Sequence, residues 1–104
     1  MTDRPVSEEY RIIAKQWVDA DATANLLEEA KTPTLSQKML ALGDMPVNRA
    51  ESTVKASQEW HDYINIKVEA RKRANLLKVQ LRYIEMKYGE FQSAEATARA
   101  ERRL

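Results

Sequence analysis

The chain has 104 residues, enough for one small domain, with 43% apolar residues, 32% charged residues and a formal net charge of +1. It has no Cys, which excludes disulfides, thiolate metal sites and Cys nucleophiles. No stretch approaches the roughly 18 to 20 consecutive apolar residues of a membrane span, and with two Gly and three Pro, only Gly89 of them after Pro46, the turns a sheet needs are lacking.

The expected fold class is therefore all-α. A helical hairpin with a long, heptad-patterned, coiled-coil-like C-terminal helix follows from the order of its signals. Residues 1–6 read as a disordered lead-in, followed by a single helical domain over 7–104 with helices over about 8–31, 35–42 and 46–101. Ser7 has the chemistry of an N-cap, and Glu8 and Glu9 follow in the first turn, where the helix dipole favours negative charge. Tyr10, Ile13, Trp17, Ala20, Ala24 and Leu27 then step by 3 and 4 in turn, the spacing that keeps one stripe facing another helix. The alanines in the middle of that seam allow close approach. Val18 and Leu26 widen it.

Pro33 stops the first helix. Thr34 and Gln37 match a capping box for a short second helix containing Leu35, Met39, Leu40 and Leu42. Gly43 is placed to end that helix in the left-handed conformation, which glycine adopts without a Cβ clash. The short helix is expected to plug one end of the hairpin.

Pro46 opens the last helix. Trp60, Tyr63, Lys67, Ala70, Ala74, Leu77, Leu81, Ile84, Tyr88 and Phe91 again step by 3 and 4, and only Lys67 among them is polar. Val54, Ile64 and Val68 lie to one side. Gly89 is the only breaker, at a cost of about 1 kcal/mol relative to Ala.

The two seams differ in length. At a rise of 1.5 Å per residue the first helix spans about 36 Å and the last, from Pro46, about 80 Å. An antiparallel hairpin then leaves Leu77, Leu81, Ile84, Tyr88 and Phe91 beyond the reach of the first helix. Five large apolar side chains in water form an unusual patch, since burying each is worth about 1.5–3 kcal/mol. Three resolutions are open: pairing with a second copy, docking of another protein, or a break near residues 65–75 that folds the chain into a three-helix bundle.

Charge is divided along the chain. Residues 1–46 carry eight acids and five bases, and residues 47–104 carry eight acids and twelve bases. Lys67, Arg71, Lys78 and Arg82 form a stripe beside the seam, which either contacts successive phosphates or pairs with Asp19, Asp21, Glu28 and Glu29 on the facing helix. His61 is the only histidine. No Glu-x-x-His pair, Gly-rich phosphate loop or nucleophile motif occurs, so no metal, cofactor, small-molecule substrate or enzymatic activity is expected. The N-terminus has no apolar signal core, and a cytoplasmic location without membrane association is expected.

Tyr83-Ile84-Glu85-Met86-Lys87-Tyr88, then Phe91, then Ser93-Ala94-Glu95-Ala96-Thr97-Ala98-Arg99-Ala100-Glu101, resembles the endings of short helical proteins of tailed phages and prophages. Phe91 stands where those endings carry Trp, and Ala98 where a basic residue is usual. Such proteins are often encoded near recombination and replication genes. The resemblance covers about the last 30 residues, implies a phage setting in a host cytoplasm, and identifies no functional residue. The expected function is that of a non-enzymatic, phage-type accessory protein that forms a homo-oligomer through its long helix and binds DNA or a DNA-processing protein. The alternative is a protein-only interaction module, such as a phage inhibitor of a host defence system or host enzyme.

Overall fold

The computed structural model describes residues 5–103, and their order is α1 (Val6–Glu29), α2 (Lys31–Ala41), α3 (Val47–Lys55) and α4 (Gln58–Arg103), with no strand among them. The chain is all-α and elongated, with principal extents of 83 × 24 × 17 Å. Residues 1–4 of the expected lead-in lie outside the described residues. Val6, also placed in that lead-in, is already helical.

Pro5, not Ser7, is the N-cap residue of α1. Its ψ of 148° is extended, and its carbonyl accepts from the N–H groups of Glu8 and Glu9 at 3.0 and 3.1 Å. With φ preset by its ring, proline can lead directly into a first turn, leaving Ser7 inside the helix.

The junction between α1 and α2 is tighter than the expected loop. Pro33 lacks the N–H that would bond the carbonyl of Glu29, and its ring crowds that same carbonyl. Accordingly α1 ends at Glu29, but Ala30 keeps right-handed helical angles and α2 begins at Lys31. Pro33 falls in the first turn of α2, where no intrahelical donor is required. The Thr34–Gln37 capping box does not form, because the Thr34 N–H is already inside the helix, bonded to Ala30 O at 2.9 Å. Gly43 follows the end of α2 with φ +85°, as its sequence position anticipates.

The expected single helix over 46–101 is divided at Ala56–Ser57. Ser57 Oγ donates to Val54 O at 2.6 Å and accepts from the Trp60 N–H at 3.2 Å. One hydroxyl thus closes α3 and caps α4. From Gln58 the helix runs without interruption through residues 65–75 and through Gly89. The break that would make a compact three-helix bundle does not occur.

The antiparallel packing of α1 on α4 makes the body of the fold. Ala20, Ala24, Ala74 and Leu77 are buried together, with Ile13, Trp17 and Ala70 packed against them. Ala74 is fully buried and Ala24 nearly so. Small residues at this crossing let two backbones approach, which is where the sequence places them. At the hairpin's closed end α2 packs on α3, Ala50, Val54 and Trp60 are buried, and Trp60 stacks on Tyr63 with centroids 5.5 Å apart. Lys38 of α2 bonds Glu59 of α4 at 2.9 Å across this cap.

Candidate functional site

Register between α1 and α4 is set by polar contacts at both ends of the hairpin. The Tyr63 hydroxyl donates to the Leu27 carbonyl, and the Tyr10 hydroxyl donates to Glu85 Oε1 at 3.0 Å. Because α4 starts at Gln58 rather than Pro46, α1 lies further along it than the sequence-derived lengths imply. This corrects the expected position of the uncovered seam. Leu77, Leu81 and Ile84 are 7–8% exposed and face α1 inside the chain. Only Tyr88 and Phe91 of the five interface candidates remain open, at 47% and 60%. They line a shallow apolar groove with Pro5, Val6, Tyr10 and Ile84 where the hairpin opens.

The basic stripe divides in the same way. Lys67 Nζ sits 3.0 and 3.2 Å from the two carboxylate oxygens of Glu28. Arg71 binds Asp21 at 2.8 Å with one guanidinium nitrogen and donates to Asn25 Oδ1 with another. Those two bases serve the hairpin. Lys78 and Arg82 are exposed and form no ion pair among the described residues, as is also true of Arg73. Glu28 is held below the ordinary carboxylate range by the hydrogen bond from Lys67 and by its charge. Tyr10 is pushed above the ordinary phenol range by its hydrogen bond to Glu85 and the charge of that carboxylate.

A second apolar stripe on α4 is absent from the sequence-derived expectations. Leu76, Val79, Tyr83 and Met86 step by 3, 4 and 3 and are 60–66% exposed. At about 100° per residue they centre roughly 150° around the helix from Leu77, Leu81 and Ile84. Helix α4 therefore carries heptad-spaced apolar residues on two opposite sides, and α1 covers one. The stripe is narrow. Lys72 precedes it in line and Glu90 follows it.

The charge beside this outer stripe is of one sign. Between Glu69 and Glu90 the sequence holds six bases and one acid, Glu85. Glu85 is engaged with Tyr10 on the α1 side. Arg73, Arg82 and Lys87 flank the stripe, and Lys87 Nζ also lies 5.9 Å from the Tyr83 ring centroid.

No group of three or more His, Cys, Asp or Glu residues able to hold a metal ion occurs among the described residues. His61 is exposed on α4 beside Trp60. None of the described helices is long and apolar enough to cross a membrane. Comparison with known proteins returned no matching family model, no matching curated protein and no matching solved structure.

Proposed function

We propose that this chain is a non-enzymatic protein-interaction module, a stiff helical hairpin that presents the outer face of α4 to a macromolecular partner. The observation that carries the reading is the second heptad-spaced stripe, Leu76, Val79, Tyr83 and Met86, left open while the first is filled by α1. Water-exposed apolar side chains in coiled-coil spacing are surface that another helix can cover. The C-terminal resemblance adds a phage setting to the proposal, with a host or phage protein as the target.

The test is a comparison of two baits, the wild-type chain and a variant with Leu76, Val79, Tyr83 and Met86 all changed to Gln. Stoichiometric retention of one protein, or of a second copy, by the wild type and its loss by the variant is the expected result. Equal retention by both baits, or none by either, contradicts the reading.

DNA binding is the second reading, favoured by Arg73, Lys78 and Arg82, which are exposed and form no ion pair among the described residues. It predicts affinity that falls steeply with salt and is abolished by Arg73→Glu, Lys78→Glu and Arg82→Glu together. It leaves the apolar stripe between those bases without a role, which ranks it second. Homo-oligomer formation through the α1-facing seam rests on Tyr88 and Phe91 alone, since Leu77, Leu81 and Ile84 are occupied.

A further inference from the structure

We infer that the outer face of α4 takes an acidic amphipathic helix of another protein, with apolar residues in its seam and carboxylates on its flanks, an assignment that rests on the interaction-module reading above. The stripe from Leu76 to Met86 covers ten residue steps, about 15 Å of helix, so a partner helix of about three turns covers it. Its narrowness is the geometry of a helix–helix seam, in which each side chain enters a hole between residues of the facing helix.

Charge decides the partner's composition. In a coiled-coil pairing, the residues flanking the seam meet the flanks of the facing helix. Two copies paired antiparallel, with Leu76 opposite Met86 and Val79 opposite Tyr83, bring Arg82 against the second copy's Arg82. The same pairing sets Arg73 against the second copy's Lys87. Two copies paired in parallel bring Arg82 beside the second copy's Lys87 and Lys72 beside its counterpart. Either way, bases meet bases across an interface with only four apolar residues per chain to offset the repulsion. A partner with Glu or Asp at its flanking positions turns each of these contacts into an ion pair. Like-charge opposition thereby selects against self-pairing of this face while opposite charge selects the partner.

Other occupants match less of the face. A DNA backbone satisfies the bases but leaves Leu76, Val79, Tyr83 and Met86 uncovered. An anionic lipid surface satisfies both kinds of residue, but helices that lie in a bilayer interface bury a broad apolar face. Here the stripe is a single seam.

The experiment is a fluorescence-anisotropy titration of the full chain against four probes at low and high salt. The first probe is a synthetic 21-residue helix, about three heptads, with Leu in its seam and Glu at the flanking positions. The second has Lys in place of the Glu, the third is a labelled DNA duplex, and the fourth is a phosphatidylserine-containing vesicle. The expected result is binding of the Glu-flanked helix at least about tenfold tighter than the Lys-flanked helix, a difference of about 1.4 kcal/mol. That binding weakens with salt and is lost in the Leu76→Gln/Val79→Gln/Tyr83→Gln/Met86→Gln variant, whose helical circular dichroism stays that of the wild type. Preference for duplex DNA or vesicles over the Glu-flanked helix overturns the inference. So does equal binding of the two helices.

Sedimentation of the chain alone separates this failure from that of the broader reading. A dimer broken by the four Gln substitutions overturns the acidic-helix inference and keeps the interaction module, with a second copy as the occupant. A monomer that binds neither helix overturns the acidic-helix inference alone, and the interaction reading is then decided by the two-bait comparison.

Discussion

Leu76 and Leu77 are adjacent in sequence and belong to different surfaces: Leu77 is buried against α1, while Leu76 points away from it and is 60% exposed. One residue step of a helix turns the side chain by about 100°, which is enough to separate a core position from a docking position. The two leucines give the most economical test of which stripe holds the hairpin together. Leu77→Ala is expected to destabilise the fold by about 2–5 kcal/mol, because it leaves a cavity between α1 and α4. Leu76→Ala is expected to change stability by no more than about 0.5 kcal/mol. Urea unfolding followed by circular dichroism reads both, and similar losses for the two variants would contradict the assignment of faces.

The middle of the α1–α4 packing is built on alanine. Ala74 is fully buried, and Ala24 opposite the same region is nearly so. Replacing Ala74 with Leu forces the helices apart or the new side chain off its rotamer, at an expected cost of about 1–3 kcal/mol. A thermal melt checks this. An unchanged or raised midpoint would mean that the helices have room between them.

Ser57 joins two helices through one hydroxyl. Ser57→Ala is expected to cost about 1 kcal/mol, and Ser57→Gly less, since glycine tolerates a capping position. Chemical denaturation of the pair checks the order. If α3 and α4 were one continuous helix, Ala at 57 would instead stabilise it, because Ala has the higher helix propensity.

The ion pair of Lys67 with Glu28 has a pH signature. A carboxylate whose folded pKa is lowered adds stability that is fully present above its unfolded value and is lost as pH falls through the folded one. The lowered pKa of Glu28 therefore places this contribution above the ordinary glutamate value of 4.5 and its loss in the acid range below that. Lys67→Met is expected to raise the Glu28 pKa toward its ordinary value, with the charges of Lys31 and Arg71 still holding it down, read by side-chain carbonyl NMR. Tyr10 behaves in the opposite sense. Its raised pKa favours the folded state below pH 10.0, and this contribution is lost as pH rises through the folded value. Absorbance titration of Glu85→Gln is expected to bring Tyr10 back down. A Glu28 or Tyr10 titration indifferent to these substitutions would contradict the α1–α4 register.

Much of this architecture is legible in the residues, because one helix-pairing pattern dominates them. The α1 seam from Tyr10 to Leu27 and the α4 seam from Trp60 onward need only a 3–4 spacing, and Gly43 needs only the rule that left-handed backbone favours glycine. The division at Ser57 is harder to see, since neither Gly nor Pro marks it. A trace of it exists: Ala50 and Val54 are four apart, while Trp60 lies six beyond Val54, which shifts the apolar phase. That small shift moves the start of α4, and with it the portion of the seam that α1 reaches. Pro33 misleads in the other direction, because a proline reads as a stop when it also fits the first turn of the next helix. The outer stripe is masked by the inner one. With apolar residues on opposite sides of α4, each pattern dilutes the amphipathic signal of the other, and the longer seam takes the eye. Charge partners depend on register as well, so the stripe of Lys67, Arg71, Lys78 and Arg82 divides into two tethered and two open bases only once α1 is in place.

The claim that α4 has one face for its own chain and another for a partner is tested most directly by NMR of the methyl-labelled full chain, titrated with the Glu-flanked helix. The methyl resonances of Leu76, Val79 and Met86 are predicted to shift with the added peptide, while those of Leu77, Leu81 and Ile84 stay in place. Shifts confined to the second group, or no shift at the first, would contradict it.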